Sequence, residues 1–262
     1  MPFTISHAAA ALPLRSLTRL PLAALMIGSM APDFAFFVPD IVRYQTHTVP
    51  ALFWFCLPTG LMAWLFFVLV LERPSIAFLP DAWRLRSQPS DRLSARSVLM
   101  AAAGILLGAA SHLAWDAFTH EYSSVTHALP VLRESVLDSP GARLPVYFVL
   151  QVLSSVFGLV VLAAWALRIR HRPLIPATQV VPELTPQVSV FERSLAVLVL
   201  AVSSGLVAYL SGTRHGEALS HSSLFYLLVG GMAGAALGWT LVVIALRVRS
   251  RLARDLMQPG AE

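Results

Sequence analysis

The chain has 262 residues, 56% of them hydrophobic and only 13% charged, with a mean hydropathy of +0.70, whereas an ordinary soluble domain is about one quarter charged. This composition excludes a water-soluble globule and predicts a single all-α, polytopic integral-membrane domain over residues 1–262. The net charge is +5, yet every basic residue is Arg and these punctuate apolar runs instead of forming one stripe, which argues against nucleic acid as a partner.

Taken in chain order, Ile5 to Leu14 is apolar but short and contains His7 and Pro13; a short N-terminal half-helix or interfacial helix is expected. No basic stretch precedes an apolar core there, so no removable signal peptide is expected. Leu22 to Val38 is apolar enough to span but carries Asp33, at a cost of about 2.5–3.5 kcal/mol if unpartnered near the bilayer centre. Pro32 can break the helix and leave that carboxylate in a bend; the alternative is an Asp wetted at the interface. Five further charge-free gaps follow: Tyr44 to Leu71, Ser97 to Trp115, Pro145 to Leu167, Ser194 to Thr213 and Ala218 to Leu246. With about 20 residues needed per crossing, six spans are expected. The longer connections are Glu72 to Arg96 and the Pro-rich loop 168–193, which is expected to be extended. Gly104-x-x-x-Gly108 and Gly230-x-x-x-Gly234-x-x-x-Gly238 predict close helix approach.

Orientation follows from the arginines, because cytoplasmic loops retain basic residues. One side takes Arg15, Arg19 and the clusters at 73–96, 168–193 and 247–254, fifteen in all; the other takes Arg43, Arg133, Arg143 and Arg214. The C-terminus and both longer loops are therefore expected in the cytoplasm. His47, His112, His120, His127, His215 and His221 then fall at the outer ends of spans, with Asp33 and Asp116 nearby, and His7 joins them if the N-terminal helix starts outside. His171 lies inside, within a basic cluster that faces headgroups.

The single Cys56 leaves any metal to His and carboxylate. On a helix His112 and Asp116 form an i, i+4 pair, with His120 one turn further. Such a pair can ligate a metal, or the carboxylate can orient the imidazole; it can also simply tie helices together. A pocket open to the outer face can gather His7, Asp33, His47, His112 and Asp116. Glu121, His120 and His127 can extend it or stay in a solvated loop, and His215 and His221 are read as rim residues. No Walker-type loop, G-x-S-x-G elbow or H-E-x-x-H occurs.

The opening Pro2-Phe3-Thr4-Ile5-Ser6-His7, the Ile27-to-Asp33 run, Thr46-His47-Thr48 and Ser111-to-His120 together resemble a bacterial membrane family, domain of unknown function 4184, over roughly the first 160 residues. The order of an early His, a Pro-Asp, a Thr-His and a His-x-x-x-Asp is also similar to inner-membrane proteins described as membrane-bound metal-dependent hydrolases, and more distantly to zinc-dependent phospholipase C. The resemblance implies His7, Asp33, His47, His112 and Asp116 as metal positions. In the hydrolase-like group the Thr-His typically follows a His-Arg pair, and the Pro-Asp is followed by further acidic or His residues. Here Phe34 and Ala35 follow Asp33, which argues against a second metal.

The expected function is thus a metal-dependent hydrolase of the bacterial inner membrane with a His/Asp site near the outer leaflet. A donor set without thiolate suits zinc, with manganese or iron as alternatives. Asp33 is expected as ligand or general base and His120 as a substrate contact. The expected substrate is a phosphoester of a membrane lipid or lipid-linked molecule. Rival readings are a transporter or metal-handling protein, or a scaffold whose cluster only locks helices. A transport path needs polar groups in both membrane halves, and the inner halves read as almost bare, with Gln151 and a few serines as exceptions.

Overall fold

In a bilayer the backbone must satisfy its own polar groups, and helices do so within one segment. The structure, a computed structural model, describes residues 3–37, 43–90, 93–139, 142–175, 188–214 and 221–257. The principal helices are α1 (Leu22–Phe37), α2 (Leu52–Phe78), α3 (Ala95–Thr119), α4 (Val146–Ile169), α5 (Val190–Arg214) and α6 (His221–Met257). Among the described residues, α2 to α6 each carry a stretch long and apolar enough to cross a membrane, and only 11–33% of each apolar window is buried inside the protein. Apolar surface turned outward on this scale is what lipid solvates; the chain is an integral-membrane, all-α helix bundle.

The sixth expected apolar element is present but shorter. Nine α-helical residues, Leu22–Met30, pass into a seven-residue 3-10 stretch, Ala31–Phe37. The α2 span is shifted from the charge gap that foretold it, running past Glu72 to Phe78. Glu72 is tolerated because its two carboxylate oxygens accept from the backbone N–H and the hydroxyl of Ser90, at 3.0 and 2.8 Å.

Contacts group the chain into two compact units, one of residues 1–66 and 91–172, the other of residues 67–90 and 173–262. In the first, α1 lies against α3 at a seam of small residues. A Cβ on Gly108 would collide with the Leu25 carbonyl and come within 2.7 Å of Ser29 N, and one on Gly28 would lie 2.6 Å from Ile105 Cα. The Gly104/Gly108 spacing is therefore a backbone-to-backbone contact, as the sequence implies. Helix α3 begins at a capping box formed by Ser94 and Ser97, which satisfies two of its free amide donors. The N-terminal 3-10 helix Thr4–Ala10 runs against α4: Ser6 O occupies the space a Cβ on Gly158 would need, and Phe3 N–H donates to Ser155 Oγ at 3.0 Å.

After α3 come two short helices, Ser124–Ala128 and Pro130–Arg133, and an antiparallel hairpin of β1 (Ser135–Ser139) and β2 (Ala142–Pro145) in which Leu137 stands opposite Leu144. Charge-gap reading gives no sign of this hairpin. In the second unit α5 and α6 pair through the other glycine series: Gly230 faces Ser211, and Gly234 and Gly238 face Ser203, while Ser204 Oγ donates to Gly231 O at 2.8 Å. Of the Pro-rich loop, residues 176–187 lie outside the described residues.

Candidate metal centre

All five metal positions expected from sequence meet within the first unit. His7 comes from the 3-10 helix Thr4–Ala10, Asp33 from the 3-10 half of α1, His47 from the turn after the short helix Arg43–Thr46, and His112 and Asp116 from successive turns of α3. His7, Asp33, His112 and Asp116 are all buried, and the His47 side chain is 11% exposed.

Their donor atoms converge. His47 Nε2 lies 3.3 Å from His112 Nε2, 3.3 Å from Asp33 Oδ1 and 3.5 Å from Asp116 Oδ2. His112 Nε2 lies 3.4 Å from Asp116 Oδ2 and 3.8 Å from Asp33 Oδ1. Adjacent donors about 2.1 Å from one tetrahedral ion stand about 3.4 Å apart, so these spacings fit ligands of a common ion. His7 Nε2 makes no hydrogen bond among the described residues; it points toward Asp116 Oδ1 at 3.5 Å, and its ring stacks on that of His112 with centroids 3.8 Å apart. Two three-residue groups with metal-ligand spacing result, His7/His112/Asp116 and Asp33/His47/His112. They share His112, whose one free lone pair can serve a single ion.

The second nitrogen of His112 and that of His47 are each held by a group that sequence reading did not single out. In 3-10 spacing the Ser29 carbonyl would accept from residue 32, but Pro32 has no N–H. That carbonyl instead takes the proton of His112 Nδ1, at 2.7 Å, leaving Nε2 as the lone pair. Thr46, fully buried, donates its hydroxyl proton to Pro32 O at 2.9 Å. Its oxygen can then accept from His47 Nδ1, at 3.1 Å, again leaving Nε2 as the ligand atom. Thr4 Oγ1 donates to Asp33 Oδ2 at 2.7 Å, so Oδ1 faces the histidines. Such outer hydrogen bonds fix tautomer and ring orientation in metal sites. Burial, and next the adjacent His112, push the His7 imidazole down to about 3, which keeps it in the neutral, ligating form at neutral pH.

Charge gives a second test of fit. Asp33 and Asp116 place two carboxylates in an apolar surrounding, an arrangement that needs positive charge beside it. A divalent cation held by the neighbouring imidazoles would supply that charge. The donor set, nitrogen and oxygen without sulfur, fits zinc or another divalent transition metal.

The remaining histidines divide. Helix α3 ends at Thr119, and His120 turns off it in an extended conformation. Its Nδ1 lies 3.1 Å from Asp116 O and 3.5 Å from Asp116 Oδ2, at the rim of the cluster. His127 is exposed and lies 3.3 Å from Arg133 Nη1. His171 accepts from Arg170 Nε at 3.1 Å. His215 lies outside the described residues, as does the side chain of His221.

A family model described as Domain of unknown function (DUF4184) matches residues 1–245, well beyond the stretch that carries the motifs. No curated protein and no solved structure matches the chain.

Proposed function

Since the chain belongs to the Domain of unknown function (DUF4184) family and its own His/Asp cluster is the chemistry to be explained, we propose that it is a membrane-embedded, metal-dependent hydrolase acting on a phosphoester of a lipid or lipid-linked substrate. The observation that carries this reading is the convergence of three imidazole nitrogens and two carboxylates, with His112 held by Ser29 O so that its Nε2 faces the others. His7, His47, His112, Asp33 and Asp116 would hold one ion, with zinc as the best fit. When bound, that ion acidifies a coordinated water toward a pKa of about 7 and polarises the scissile group.

The chain's own residues supply the rest. With Oδ2 occupied by Thr4 and Oδ1 among the ligand nitrogens, Asp33 serves as a ligand more readily than as a base. His120 is better placed to take a proton: it stands at the rim of the cluster, with Nδ1 3.1 Å from Asp116 O, and its side chain is 18% exposed, open to water. A proton acceptor needs both features.

The arginine distribution supports a C-terminus in the cytoplasm of a bacterial inner membrane and a site at outer-headgroup depth. Gln151, an apparent exception to the bareness of the inner membrane half, sits in the second turn of α4, which belongs to the outer half in this orientation. A one-sided polar site favours catalysis over transport.

The test is metal content, by mass spectrometry, of detergent-purified protein beside a folded His112→Ala, Asp116→Ala double variant. About one equivalent of zinc or another transition metal, lost in the variant, is expected. Absence of metal from both after reconstitution would refute the reading and make the cluster a helix-locking network.

A further inference from the structure

A cavity of about 510 Å³ in the first unit is lined by Glu121, His127, Arg133, Arg143 and Tyr147. Glu121 follows His120, whose Nδ1 is 3.5 Å from Asp116 Oδ2. Thr126 Oγ1 donates to Ala117 O at 3.2 Å, and Ser123 Oγ donates to the same carbonyl. These bonds fold the helix that carries His127 back onto the end of α3. Two prolines frame the cavity: Pro130 opens the 3-10 helix that carries Arg133, and Pro145 ends the strand that carries Arg143. A further backbone bond, Val146 N–H to Glu134 O at 3.0 Å, closes the hairpin against the start of α4.

The charges are unusual for their place. In the orientation proposed above, the outer side holds only four of the nineteen arginines, since basic residues are depleted there; two of those four line this one cavity. Arg133 Nη1 stands 3.3 Å from His127 Nδ1, and because a guanidinium can only donate, His127 accepts and is neutral, with its proton on Nε2. The wall therefore presents two guanidinium groups and an imidazole N–H, against one carboxylate, Glu121, which is engaged with Tyr147. The lining side chains sum to a single positive charge, which matches the single negative charge of a phosphodiester. Planar guanidinium forks bind phosphoryl oxygens in pairs.

We propose that this cavity is the phosphate-ester subsite of the protein, in which Arg133 and Arg143 hold the phosphodiester group of a membrane lipid beside the metal centre. The assignment deepens the hydrolase reading and rests on it for the role of the bound group, while the binding itself needs only the cavity.

The experiment is binding, by isothermal titration, to full-length protein in uncharged detergent. The probes are dihexanoyl phosphatidylglycerol, dihexanoyl glycerol lacking the phosphate, and inorganic phosphate. The proteins are wild type, Arg133→Gln and Arg143→Gln, each with metal content and melting temperature measured in parallel. The phosphatidylglycerol is expected to bind wild type, the neutral lipid not to compete, and each Arg→Gln variant to weaken binding by about tenfold or more, the loss of one charge-assisted contact. If Arg133→Gln does not fold, Arg133→Lys, which keeps the charge but not the fork, should weaken binding by a smaller factor. Arg-dependent binding of inorganic phosphate equal to that of the lipid would assign the same subsite to a free phosphate group. Equal binding by wild type and both Gln variants, or by the neutral lipid, would overturn the proposal. Metal absent with Arg-dependent binding intact removes the hydrolase reading alone; metal present with no Arg dependence removes the subsite alone.

Discussion

Thr46→Val isolates the hydrogen bonding around His47 from packing, because valine keeps the shape of threonine and replaces only the hydroxyl with a methyl. The position is fully buried. Its one oxygen serves two partners, accepting from His47 Nδ1 at 3.1 Å and donating to Pro32 O at 2.9 Å. Removing it takes away the acceptor that assigns the His47 proton to Nδ1 and lets the ring rotate or adopt the other tautomer. Loss of such an outer partner costs about 10- to 100-fold in metal affinity, or about 1.4–2.7 kcal/mol. Taking a partner from the buried Pro32 carbonyl adds about 1–3 kcal/mol of lost stability. The assay is zinc affinity by competition with a chromophoric chelator on detergent-purified protein, with thermal melts of the metal-free form alongside. Thr46→Ser, which restores the hydroxyl, should recover most of the affinity. Zinc affinity in Thr46→Val within about twofold of wild type would refute the tautomer argument, whatever the melts show.

Gly108→Ala drives a Cβ into the Leu25 carbonyl and pushes α1 from α3, so it should cost about 1–3 kcal/mol by overpacking. Because the same seam carries Ser29 O to His112, zinc affinity should fall as well; a stability loss with unchanged affinity would show that the seam does not position the ligand. His120→Gln should retain wild-type zinc content but lower turnover of a phosphoester substrate by about 10²- to 10⁴-fold, and loss of zinc instead would make His120 a ligand. Protons compete with metal for imidazole lone pairs, so zinc occupancy should decline as pH falls from neutral into the acid range and recover on return to neutral pH. Occupancy that is flat down to about pH 4 would contradict ligation by histidine.

Much of this arrangement is legible in the chain. Apolar runs between arginines locate the long helices, because each crossing must exclude charge over about 20 residues. Their ends are less well marked. Helix α2 runs past Glu72 since Ser90, 18 residues on, satisfies the carboxylate, a pairing no local pattern announces. Likewise the His112/Asp116 spacing on α3 is visible as a helical pair, but spacing leaves metal binding, ring orientation and helix locking equally open. His7, Asp33 and His47 enter the same set through resemblance and through the expected sidedness of the chain. No local pattern marks Ser29, Thr46 and Thr4 directly as the groups that orient the ligands. The signal that points to them is indirect: Pro32 frees a carbonyl one turn earlier, and Thr46 directly precedes a candidate ligand. The grouping of Arg133 and Arg143 in one cavity is equally invisible, because a hairpin and two prolines bring them there.

Composition alone determined that this protein lives in a membrane, that its elements are helices, and that no thiolate cage can hold a metal, since these depend only on how much apolar surface and which donors the chain contains. Tertiary structure decided which imidazole nitrogens face the carboxylates. Those atoms belong to residues up to 105 positions apart, from His7 to His112, and only the α1–α3 seam, closed by glycine to backbone contact, brings Ser29 O against His112 and leaves its other nitrogen facing the carboxylates.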